Sequence, residues 1–174
     1  MTKRKIILVP DEILRKKSEK IEKITDKEKQ LADDLFETMY SNNGIGLAAV
    51  QVGVLRRMIV IDVSKKDEEK KPFCLINPTI KFFGKERSTY EEGCLSIPET
   101  FIEIERPKNC IIEYVDISGN KKNMKCDGLL STCIQHEINH LDGKLIIDFL
   151  SKLKKDILIK KLSKNKNTSS RVIV

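Results

Sequence analysis

Residues 127–143, DGLLSTCIQHEINHLDG, constrain this chain more than any other stretch. Leu130, Ile134, Ile138 and Leu141 recur at spacings of four, four and three, which aligns them along one side of an α-helix. Leu129, Cys133, His136 and His140 align in the same way along a second side. Asp127 is placed to act as an N-cap and Gly143 as a stop, so the helix runs for about four turns. One side is apolar and the other carries donor atoms. His136 and His140 are the chain's only histidines.

Two imidazoles one turn apart can bind one metal ion, and Glu137 between them can act on water held there. A catalytic site of that kind needs a third protein ligand and an open position. Downstream, Asp142, Asp148 and Asp156 are available, none in a recognisable motif. Upstream, Cys94 in EEGCLSIP follows a glycine in a β-rich stretch, from which a thiolate could project toward the helix. A single cysteine in such a place is ordinarily a small apolar residue, so the residues alone leave the third ligand open. A further stretch, GIGLAAVQVG, packs three glycines and two alanines into ten positions. Side chains so small let backbone come close to a ligand, and Gln51 adds an uncharged donor.

The remaining chain frames this helix. KIILVP reads as a short strand. TDKEKQLADDLFETMYSN opens with Thr25 and Glu28 in capping-box spacing, and Leu31, Leu35 and Met39 then repeat every four residues, as in an amphipathic helix. LAAVQV, RMIVIDV, FCLINP, FIEIE and CIIEYVDI read as strands, with SKKDEEKK as an exposed connector and ISGN as a turn. A basic helix is expected from near Asp148, with residues 165–174 fraying. Strands gathered between helices at both ends indicate an α+β fold. No repeat or linker divides the chain, and 20.0 kDa suits one domain with a real core.

Charge and cysteines narrow the function. The net charge of +7 lies in residues 151–174, where eight Lys or Arg meet one Asp, so residues 1–150 balance to zero. A basic tail on a neutral body suits a solvated helix face that could touch RNA phosphates without reading bases. The apolar run in MTKRKIILVP ends after four residues at Pro10, too short for an export signal, and no later run approaches a membrane span. Five irregularly spaced cysteines then read as reduced thiols of a cytoplasmic protein.

Three stretches in order resemble the peptide deformylase family: Gly44-Ile45-Gly46-Leu47-Ala48-Ala49-Val50-Gln51, Glu92-Gly93-Cys94-Leu95-Ser96 and Gln135-His136-Glu137-Ile138-Asn139-His140. The likeness extends through ILVPDEILR, ERPKNCIIEYVDISGN and HLDGKLIIDFLS, over about residues 5–155. The resemblance implies a compact α+β domain over residues 1–155, antiparallel sheets packed around the motif helix, with 156–174 as its basic C-terminal helix and tail. It implies hydrolysis of the N-formyl group from N-formylmethionine at the start of new polypeptides. Cys94, His136 and His140 would hold one divalent metal ion, usually Fe²⁺ in the family, with Zn²⁺, Ni²⁺ or Co²⁺ able to replace it. Metal-activated water would attack the formyl carbon, with Glu137 as general acid and base. The Leu95 backbone N–H and the Gln51 amide would donate to the developing oxyanion. Ile45, Glu92, Leu129 and Cys133 match positions near the family's methionine pocket, and Gly46 a position that pairs with substrate backbone. Two residues depart from the pattern: Asn139 replaces the usual aspartate beside a ligand, and Ile146 a common phenylalanine. Partners would be formylmethionyl nascent chains and, through the basic tail, the ribosome. Two rivals are a zincin-like protease, which lacks its usual downstream ligand here, and an RNA-binding protein with a structural zinc.

Overall fold

The computed structural model describes residues 2–65 and 68–168, with side chains of the last helix through residue 164. Thr25 and Glu28 form the expected capping box and open α1, Asp26–Ser41. Its Leu31, Leu35 and Met39 are buried. Five antiparallel strands make the main sheet in the order β1 (Gly46–Ala48), β2 (Met58–Ile61), β3 (Phe73–Phe83), β6 (Asn109–Val115) and β7 (Lys121–Asp127). A separate hairpin pairs β4 (Arg87–Cys94) with β5 (Ile97–Pro107).

All four residues of β2 are buried, because both faces of the sheet are covered. Met58 and Val60 pack with Leu31, Leu35 and Met39 of α1. Ile59 and Ile61 pack with Ile134, Ile138 and Leu141 of α2, Gly128–Leu141. The apolar stripe read from residues 130–141 is therefore the surface that fixes α2 to the sheet. A third cluster joins Ile97, Ile102 and Ile104 of the hairpin to Leu145, Ile146 and Ile147. Leu158, Ile159 and Leu162 of α3, Lys152–Thr168, pack against that cluster.

Several local expectations differ from what is found. KIILVP is extended but no strand: Ile7 N–H bonds Gln51 O at 2.8 Å and Val9 N–H bonds Ser96 O at 2.9 Å, so no single partner forms a ladder. LAAVQV leaves the sheet after Ala48 and tightens into a 3-10 turn, Ala49–Val52, because the Gln51 side chain accepts from Ala48 N–H at 2.9 Å. Asp127 occupies the N-cap position of α2 without a side-chain bond there. Near Asp148 the chain forms a 3-10 turn, Ile146–Phe149, before α3 begins at Lys152. Of the segment expected to fray, the backbone is helical through Thr168, and 169–174 lie outside the described residues. The polar strands β4 and β7 were not expected at all. KKNMKCD leaves most of its side chains in solvent, and RSTYEEGC alternates exposed with half-buried or buried ones, so neither carries a run of apolar residues.

Candidate metal centre

α2 lies with one side on the sheet, and the β4–β5 hairpin brings Glu92 and Cys94 to its other side. A register shift between Gly93 and Cys94 ends the regular pairing of the hairpin just where the cysteine turns toward the helix. Cys94, His136 and His140 converge there, their ligand atoms all within 4.8 Å of one another. Cys94 Sγ stands 3.2 Å from His140 Nε2. Both imidazoles are buried, with ring centroids 5.0 Å apart.

Each histidine is set differently. His136 Nδ1 meets Glu92 Oε2 at 2.8 Å, leaving Nε2 to face the cluster. Burial opposes its charge, but the Cys94 sulfur and the Glu92 carboxylate outweigh burial and raise its pKa to about 10. The acceptors that would hold a proton there suit a cation equally. His140 is pushed well below the ordinary imidazole range by burial and by the charge of His136, which keeps it in the neutral form that ligates. Its Nδ1 is buried and unpartnered among the described residues. One thiol and two imidazoles gathered this closely fit a single Fe²⁺- or Zn²⁺-class ion with a position left over.

Glu137 approaches the cluster from the same helix. Burial raises its carboxyl to about 7, with Glu92 adding to the shift against the opposing charges of His136 and Arg106. Its Oε2 is buried and makes no hydrogen bond. Gly46 explains how a carboxyl can sit there. A Cβ at residue 46 would stand 2.5 Å from Glu137 Oε1 and 2.8 Å from Cys133 Sγ. Gln51 Nε2 donates to Ser96 Oγ at 3.1 Å and reaches Cys94 Sγ at 3.7 Å.

A cavity of about 640 Å³ opens above this group. Ile45, Gly46, Gln51, Glu92, Cys94, Leu95, Leu129, Cys133, His136 and Glu137 all line it, while His140 lies beneath. Ile45 and Leu129 present half-exposed apolar side chains to it, and Cys133 Sγ reaches Ile45 O at 3.6 Å. Glu92 borders the cavity, yet its carboxylate is engaged elsewhere. Arg106 donates to it twice, Nε to Oε1 at 2.5 Å and a second nitrogen to Oε2 at 3.0 Å. Burial would raise the Glu92 carboxyl, but His136 and Arg106 together hold it below the usual range.

Arg106 was not anticipated. It also donates to Asn139 Oδ1 at 2.8 Å, so one guanidinium ties β4, β5 and α2 together behind the histidines. The signal that could have found it is the alternation Ile102, Ile104, Arg106 along β5, which puts an arginine where the strand turns inward.

A family model described as Polypeptide deformylase matches residues 3–156. A peptide deformylase of Pelagibacter ubique is 52% identical over 174 residues, covering 100% of both chains. One of Bartonella henselae is 49% identical over 176 residues, covering 99% of this chain and 100% of the other. The crystal structure of peptide deformylase from Ehrlichia chaffeensis superposes with a TM-score of 0.92 at 41% identity, covering 97% of this chain and 99% of that one. The same enzyme in complex with actinonin gives 0.91 at 41% identity, covering 99% and 100%.

Proposed function

This chain belongs to the polypeptide deformylase family, and on that premise we propose that it hydrolyses the N-formyl group of formylmethionyl nascent peptides, releasing formate. The observation that carries this reading is the convergence of Cys94, His136 and His140 beneath a cavity, beside an unpartnered Glu137. Those three residues would hold one divalent ion, with Fe²⁺ the preferred occupant and Zn²⁺, Ni²⁺ or Co²⁺ as substitutes. When bound, the ion lowers the pKa of water enough for it to attack near neutral pH.

The protein's own groups do the rest. Glu137, with a carboxyl near 7 and a free oxygen, accepts the proton of the attacking water and returns it to the departing amine. The Gln51 amide and the Leu95 backbone N–H donate to the formyl oxygen as it gains charge. Gln51 is suited to this because its carbonyl is held by Ala48 and its amide nitrogen faces Cys94. Edge strand β1 leaves the backbone at Gly46 available to pair with an extended peptide. Ile45, Leu129 and Cys133 offer the methionine side chain an apolar wall, and the close packing around Gly46 admits formyl more readily than acetyl. Glu92 lies beside that wall, but its work is to fix the tautomer and orientation of His136.

Residues 1–155 carry every group in this scheme. α3 adds a basic face to the same domain, suited to the phosphates of ribosomal RNA close to emerging chains. The proposed substrate, a newly made chain, places its action in the cytoplasm; no helix among the described residues is long and apolar enough to cross a membrane. Protein purified anaerobically with Fe²⁺ should release formate from a formylmethionyl peptide and leave its acetylated counterpart intact. Cleavage of internal bonds in unformylated peptides, without formate release, would instead support a protease.

A further inference from the structure

Cys110 of β6 stands directly opposite Cys126 of β7, and both are free, buried thiols. Two positions along the ladder, Gly128 N–H bonds Lys108 O at 2.9 Å. Hydrogen-bonded pairs alternate along an antiparallel ladder, so Cys110 and Cys126 occupy such a pair, with Cα atoms about 5.5 Å apart. Disulfides bridge Cα separations of about 4.4–6.8 Å but Cβ separations of only about 3.5–4.5 Å, so closure draws edge strand β7 in from the wider spacing of a hydrogen-bonded pair. Ser131, in the first turn of α2, directs its hydroxyl to Cys110 Sγ at 3.4 Å. None of these groups belongs to the metal centre.

We propose that Cys110 and Cys126 form a reversible dithiol–disulfide site that is oxidised by small hydroperoxides. Cys110 is the attacking sulfur. The facing Cys126 thiol and the Ser131 hydroxyl, 3.4 Å from its sulfur, outweigh burial and lower its pKa, while Cys126 moves up. The Cys110 thiolate attacks the terminal peroxide oxygen, the O–O bond breaks, and the alkoxide leaves and takes up the proton Cys110 released. Cys126 then attacks the resulting sulfenic sulfur; the S–S bond forms and hydroxide departs with the Cys126 proton as water. Two thiols lose two electrons, and one hydroperoxide becomes an alcohol and water.

Access comes through the edge of the sheet. β7 is outermost, and Cys126 is the one buried residue among its seven. β7 pairs on one side only, so local opening of that edge exposes the pair, although both cysteines belong to the core cluster with Ile134, Ile138 and Leu141. Closure of the disulfide would clamp β7 to β6 immediately before α2, the helix that carries both histidines.

The zinc-loaded full chain suits the test, since zinc has no redox chemistry of its own. After tert-butyl hydroperoxide, alkylation and peptide mapping without reduction, free thiols should fall by two of the five present. Peptides holding Cys110 and Cys126 should be linked and lighter by two hydrogens, and dithiothreitol should restore them. In Cys126→Ser, Cys110 should stop at the sulfenic acid and be trapped by dimedone. The idea is overturned if both thiols still alkylate fully at a dose that oxidises a free cysteine peptide. It is equally overturned if the linkage joins other cysteines. The wild-type map decides the matter even if the variant does not fold.

Discussion

Arg106 holds Glu92 through a buried two-point contact of 2.5 and 3.0 Å, and Glu92 in turn holds His136 at 2.8 Å. The candidate metal site thus depends on a strand that contributes none of its three residues. Both partners are 5% exposed, so neither charge can fall back on water. Removing one member of such a pair costs about 3–5 kcal/mol. Arg106→Met should therefore lower the unfolding free energy from urea titration by about that amount and reduce metal retained after dialysis. Adding Glu92→Gln should recover much of the stability but not the metal, because His136 still lacks its anionic partner. Equal recovery of both would show that the pair serves folding alone.

Glu137→Gln preserves size and hydrogen bonding but cannot accept a proton. Metal content should stay near one per chain, whereas turnover of a formyl peptide should fall about 10²–10⁴-fold. Metal analysis, substrate affinity and turnover measured on one preparation separate this from a ligand role, which would lose metal and activity together.

Asp148 links Arg15, Lys155 and the Leu145 N–H. Although burial acts the other way, those partners lower its pKa to about 2. A carboxyl depressed in the folded state stabilises it above the unfolded pKa of about 3.9, and that contribution disappears as pH falls toward 2. Asp148→Asn should lower Tm at pH 7, and the gap to the wild type should close between about pH 4 and pH 2. Thermal melts across that range provide the check; a constant gap would mean the partners act through shape rather than charge.

The basic helix calls for point changes rather than deletion. Removing residues 156–174 would strip Leu158, Ile159 and Leu162 from the third core cluster and unsettle the hairpin that carries Cys94. Lys154, Lys160 and Lys161 are exposed and can be reversed without that damage. The triple change to glutamate should leave turnover of a short formyl peptide unaltered and weaken co-sedimentation with ribosomes at low salt. Unchanged co-sedimentation would place the contact elsewhere on the molecule.

What the sequence determined by itself is whatever a local period or a spacing encodes. The four- and three-residue spacing through Leu130, Ile134, Ile138 and Leu141 made α2 a helix. The same spacing put His136 and His140 on one side of it, and the Thr25–Glu28 pair marked the start of α1. Cys94 became a ligand candidate only through the ordered likeness of three motifs, since nothing local distinguishes it from other thiols. Tertiary structure decided the rest, because the deciding forces act between segments far apart in the chain. β4 and β7 are strands by virtue of their ladder partners, not their composition. Glu92, read as a pocket residue, spends its carboxylate on Arg106 and His136 once the hairpin closes over α2. Cys110 and Cys126 face each other only because a turn sets the register of β6 against β7. A buried charge must find its counter-charge wherever the fold brings one, and no periodicity along a single segment can name that partner.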